Sequence, residues 1–151
     1  MDWTFDIVLK NRKILATFLE AFSLEDLNKV PENFNNNLIW NIAHLVVTQQ
    51  LLTYSLSGLP MHVSDEMVDK YKKGSQVKRN VSQDEVNEIK ELLFNTIEKT
   101  REDYKNGVFN SFQPYTTSTN STLKSFEEAM EFNNFHEGIH LGYILALKKS
   151  L

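Results

Sequence analysis

The sequence predicts an all-α protein, an antiparallel bundle of four long helices, and three observations carry that expectation. Apolar residues recur at three- and four-residue steps in four separate stretches, capping residues stand in front of several of them, and glycine, proline or asparagine punctuates the segments between. The 151 residues suit one domain spanning 1–151, and a hydrophobic content of 41% is enough to build a core. A net charge of −4 gives no global reason to expect nucleic acid or an anionic membrane as partner. The absence of cysteine excludes disulfides, thiolate metal ligands and a cysteine nucleophile.

The first helix is expected over residues 4–22, where Val8, Ile14, Leu15, Phe18, Leu19 and Phe22 keep helical spacing and Lys10, Arg12 and Lys13 fall between. Ser23 and the acids after it suit a short extra turn ending before Pro31. The second helix covers 38–57, is apolar almost all round, and stops at Gly58 and Pro60. Its apolar run is broken by Asn41, His44, Gln49 and Gln50, so it reads as a buried helix and not a membrane span. The opening Met1-Asp2-Trp3-Thr4 has no basic segment followed by an apolar one, so no signal peptide is expected and the cytoplasm is the expected location.

Residues 60–81 form a long connection with a short helix near 65–71. Lys70, Lys72, Lys73, Lys78 and Arg79 make it basic, either as a solvated loop or as an anion-binding lid. His62 in this connection reads as a surface residue, since nothing in the sequence anchors it. Ser82-Gln83-Asp84-Glu85 is a capping-box signature for a third helix that ends near Asn106-Gly107. Residues 108–122 are a loop with a short extended piece near Tyr115. The fourth helix is expected over 122–149, with Phe126, Ala129, Asn133, His136, His140 and Tyr143 on one stripe.

His136 and His140 lie four residues apart. A helix turns about 100° and rises about 1.5 Å per residue, so both rings share a face and can chelate one ion. The run also spells H-E-x-x-H, the zinc-protease helix, but the eleven residues after His140 hold no His, Asp, Glu or Cys. A third protein ligand is therefore expected from earlier in the chain. His44 is the one earlier histidine centred in a buried helix, and two readings stand for it: a core histidine bonded to a neighbour, or the third ligand.

The stretches Asn37-Leu38-Ile39-Trp40-Asn41-Ile42-Ala43-His44 and His136-Glu137-Gly138-Ile139-His140-Leu141-Gly142 resemble the DinB-like family, of the DinB/YfiT-type superfamily, as does Pro114-Tyr115-Thr116-Thr117. The resemblance spans essentially the whole chain. It implies a four-helix bundle of up-down-down-up order, a homodimer, and a divalent metal held by His44, His136 and His140. Zinc or nickel is the first expectation for that metal, with iron and manganese also compatible with imidazole. Relatives implied by the resemblance are metal-dependent thiol-S-transferases, isomerases or hydrolases that use a low-molecular-weight thiol or a metal-bound water, here with a small-molecule substrate.

Asn133 and Tyr143, one turn from the histidines, are candidates to orient water or substrate, and ordinary packing is the other reading of both. Glu137 is the adjacent acid and hence a candidate general base. It lies about 100° round the helix from His136, however, and is expected instead on the solvent side or at a dimer interface. The competing function is a non-enzymatic structural or interaction protein whose histidines satisfy one another in the core.

Overall fold

The computed structural model describes residues 1–151 and is all-α apart from one small hairpin. Its helices are α1 (Asp2–Ala21), α2 (Leu24–Asn28), α3 (Leu38–Gln50), α4 (Asp65–Tyr71), α5 (Gln83–Lys105) and α6 (Phe126–Leu147). No helix is long and apolar enough to cross a membrane.

Side-chain caps set most of the helix starts. Ser23, Asn37, Ser64 and Ser125 each accept from the backbone N–H three residues on, and Ser82 with Glu85 closes a reciprocal capping box. Each such cap supplies a partner for a helix-end N–H that would otherwise have none and stabilises by about 1 kcal/mol. The fourth helix therefore begins at Phe126 and not at 122. Thr122–Leu123 is instead the second strand (β2) of a hairpin with Tyr115–Thr116 (β1), with Thr116 opposite Thr122.

The four long helices pack so that α1 and α3 each touch both α5 and α6. α3 is the most enclosed, with every residue from Leu38 to Val47 buried. Leu15 and Leu19 of α1, Leu93 of α5 and Ile144 of α6 join its Ile42 and Leu45 in the main core. Beyond Gln50, α3 passes into a π-helical turn, Leu51–Ser55, closed by a wide hydrogen bond from the Leu56 N–H to the Leu51 carbonyl. The Thr53 hydroxyl donates to the Gln49 carbonyl at 2.7 Å, and the Gln49 amide donates to both Thr53 and Thr100 of α5.

Two expectations from the sequence need correction here. Arg12 is not on the polar side of α1 but wholly buried, and Glu137 is not a solvent or interface residue but only 1% exposed. The two form an ion pair in which the Arg12 Nη2–H donates to Glu137 Oε1 at 3.0 Å and the Nε–H to the same oxygen at 3.2 Å. Arg12 Nη1 also donates to the Leu93 carbonyl and the Thr96 hydroxyl on α5, while Asn11 and Asn133 donate to the Glu137 carboxylate. Arg12 continues the Phe5, Val8, Leu15, Leu19 spacing, so its position on the inner stripe was already written in the pattern.

Removing one member of a buried pair strands the other charge. Arg12→Met is expected to lower unfolding free energy by about 3–5 kcal/mol in urea melts, and Arg12→Met combined with Glu137→Leu to recover most of it. A single-variant loss below about 1 kcal/mol would show that the pair is not a structural clamp.

Candidate metal centre

α3 and α6 bring the three sequence-predicted histidines together. Their ring centroids are 5.2 Å (His44 to His136), 4.8 Å (His44 to His140) and 4.6 Å (His136 to His140) apart. One nitrogen of each lies within 4.8 Å of the others, a separation that side-chain rotation can close onto a single ion with metal–nitrogen bonds of about 2.0–2.1 Å. His62 is not part of the cluster. It is exposed as expected, yet anchored: its N–H donates to Gln50 Oε1 at 2.7 Å, and its ring meets Tyr54 edge-on at 4.7 Å.

Neighbouring groups define the tautomers. A carbonyl only accepts, so His44 must donate from Nδ1 to the Tyr71 carbonyl at 2.6 Å, leaving the lone pair on Nε2, with the Thr48 hydroxyl 3.3 Å away. Asn41 donates its amide to the Asn37 carbonyl at 2.8 Å, which turns Oδ1 toward His140. His140 Nδ1–H therefore donates to Asn41 at 2.9 Å and leaves its lone pair on Nε2, which has no hydrogen-bond partner, whereas His44 Nε2 accepts from Thr48. Trp40 stacks on His44, centroids 4.7 Å apart and planes 10° off parallel, and holds the ring flat. His136 Nδ1 is buried with no hydrogen-bond partner, and no histidine in the trio bonds to another.

Burial disfavours the charged form of all three rings. Desolvation lowers the His44 pKa against a raising hydrogen bond to Tyr71; burial and the neighbouring His140 and His44 bring His136 down to about 3; burial and His44 bring His140 to about 4. At neutral pH the cluster offers neutral imidazoles with lone pairs, the form that ligates metal.

The histidines open on a cavity of about 610 Å³. Leu51, Leu56, Phe132 and Ile139 give it apolar walls, while Tyr115, Thr117 and Ser118 of the hairpin loop close one side. Tyr143 also lines it, packed edge-on against Phe34 at 5.4 Å. Asn133 and Glu137 do not: both are committed to the Arg12 network on the inner side of α6. Thr48 and Lys73 line the cavity without having been picked out from the sequence as site residues. Thr48 was legible in principle, one helical turn beyond His44; Lys73 and the Tyr71 carbonyl come from a long connection whose path no local pattern reveals.

A helical protein with one inward histidine on a buried helix and a pair at i,i+4 on the helix facing it has the arrangement of side chains from which bundles can build a metal site between helices. The sequence matches the DinB superfamily over residues 8–144, and the chain belongs to that superfamily. No curated protein matches it.

The lowered histidine pKa values carry a stability consequence. Unfolding restores ordinary pKa values near 6.5, so the unfolded chain binds more protons as pH falls below that value. Metal-free protein is expected to hold its full histidine contribution above about pH 6.5 and to lose it progressively toward pH 4 and 3. Urea midpoints at about pH 7.5 and 5 should differ in wild type and differ less in His136→Gln. An equal difference in both would assign the proton uptake to other groups.

Proposed function

We propose that this chain is a metal-dependent enzyme in which His44, His136 and His140 hold a divalent ion, zinc or nickel in the first place, at the floor of the cavity. The observation that supports it most is the second layer around the imidazoles. The Tyr71 carbonyl and Asn41 each take an Nδ1 proton and leave the lone pair on Nε2, where only the Thr48 hydroxyl, at 3.3 Å from His44, has to turn away for both rings to act as oriented ligands. The ion would supply Lewis acidity and lower the pKa of a bound water or low-molecular-weight thiol to near neutrality. Thr48 and Tyr143 stand at the cavity wall with hydroxyls to orient the incoming small molecule, and the apolar walls exclude bulk water from it. Hydrolysis and thiol transfer are the two reactions this arrangement suits.

The competing reading, histidines that satisfy one another inside a structural protein, fits less well. They make no mutual hydrogen bond, and His136 Nδ1 is left without a partner. Elemental analysis of untagged protein is expected to find about one metal per chain, lost in His44→Ala and His140→Ala. Wild-type protein that stays metal-free after incubation with zinc or nickel would overturn the proposal.

We further propose that the chain pairs as a homodimer through α6, and the outer face of that helix supports this reading. Phe135, Ile139 and Leu145 are 55%, 51% and 40% exposed on an uncharged outer face that also carries Gly138 and Gly142. Antiparallel pairing about His140 sets Glu131 opposite Lys149, Phe135 opposite Leu145 and Gly138 opposite Gly142, a self-complementary pattern suited to a two-fold axis. Sedimentation equilibrium should show a dimer in wild type and a monomer in Gly142→Glu. A wild-type monomer at about 100 µM would exclude this pairing.

A further inference from the structure

A second cavity, of about 730 Å³, lies on the other side of Trp40 from the histidines. It is the space under the basic segment after α4, of which the histidine cavity uses only Lys73 and Gly74. Both ends of that segment are pinned to the core. Tyr71 is buried and its carbonyl holds His44, while Val81 is buried and bonded through both its N–H (2.7 Å) and its carbonyl (3.1 Å) to the Asn28 side chain. Midway, the Trp40 indole N–H donates to Ser75 Oγ at 3.1 Å, and Ser75 in turn donates to the Lys70 carbonyl. The chain between is thus an anchored arch with Ile39, Trp40, Val77 and Val81 forming an apolar floor.

The charges on the arch divide into two sets. Glu85 answers Arg79 through a forked pair of hydrogen bonds at 2.7 and 3.1 Å and also takes Lys70, while Asp69 takes Lys72. Partial burial alone would push the Glu85 carboxyl up, but these donors and the Ser82 N–H bring it down to about 2. That leaves Lys73 and Lys78, which line the cavity without an ion-pair partner, against one unpaired lining carboxylate, Glu66 on α4. The backbone adds to them, since no N–H from Gln76 to Asn80 donates to a backbone carbonyl. Unspent cations and N–H donors at the rim of an apolar floor are complementary to a molecule with a negative end and an apolar body.

We propose that the arch cavity binds an amphipathic organic anion, with the apolar or aromatic body on Trp40 and Val77 and the anionic end at Lys78, Lys73 and the free N–H groups. The site is separate from the histidine centre and stands whether or not that centre holds metal. The two are in contact, because Trp40, Lys73 and Gly74 line both cavities and the arch begins at the residue whose carbonyl orients His44.

Trp40 is the natural reporter, since the chain has only two tryptophans and Trp3 is exposed on α1. In a Trp3→Phe background, 4-phenylbutyrate and phenyl phosphate should each change Trp40 emission saturably. The uncharged control 4-phenylbutanamide, the Lys78→Glu variant and about 0.5 M salt should each weaken binding about fivefold or more. Amide NMR shifts should centre on residues 76–80, and binding should survive His140→Ala. No saturable change up to about 10 mM ligand would overturn the proposal. So would equal affinity for the amide, indifference to Lys78→Glu, or loss of binding in His140→Ala, which would place the ligand in the histidine cavity.

Discussion

The buried pair of Arg12 and Glu137 is the constraint on which the rest of the molecule depends. A carboxylate and a guanidinium both withdrawn from water are tolerated only when nearly every donor and lone pair is answered, and here α1, α5 and α6 all contribute. The consequence is rotational. With Glu137 turned inward to meet Arg12, the residues just before and three after it are carried round to one side of α6. That side faces α3, and the two histidines there meet His44. The ion pair is therefore a bearing that orients the histidine-bearing face, built out of sight of the cavity it serves.

The histidine cluster likewise derives its properties from what stands behind each ring. α3 is enclosed over nearly its whole length, so a histidine on it has no water to satisfy both ring nitrogens. The nearest acceptor outside the helix is the carbonyl at the end of α4, which makes a seven-residue helix in a surface connection part of the site's architecture. His140 is served from within α3 by Asn41, whose own amide is held by Asn37, the residue that also caps the helix. Capping, amide orientation and imidazole tautomer thus form one chain of hydrogen bonds running from the start of α3 to the cluster.

Much of this was legible in the sequence, and what was not has physical reasons. Serine and asparagine caps and the three- and four-residue apolar steps announce the helices because those signals are local. The i,i+4 histidines announce their shared face for the same reason. Glu137 was misplaced because its offset of about 100° from His136 was taken to lead outward, whereas the buried face of α6 is wide and runs through Asn133, Glu137 and Ile144. The companion signal, an arginine on the inner stripe of α1, becomes meaningful only when the two helices are placed side by side. The hairpin strand at Thr122, the partners of the basic segment and the Tyr71 carbonyl depend on tertiary placement and leave no periodic trace.

The π-helical turn at Leu51–Ser55 has a consequence for how such a cavity diversifies. A π turn holds one residue more than the α-helical turn it replaces, so a single deletion there converts it to regular α-helix with its backbone hydrogen bonds still satisfied. Such a deletion leaves the stretch before it, with His44 and Trp40, in register and swings the following side chains by about 100°. Leu56, now on the cavity wall, would be exchanged for a neighbour without any substitution among the histidines. Chain length at this one point is thus a dial for pocket shape, and a gap of one position here, in an alignment of relatives, would mark a change of pocket and not a loss of the histidine cluster.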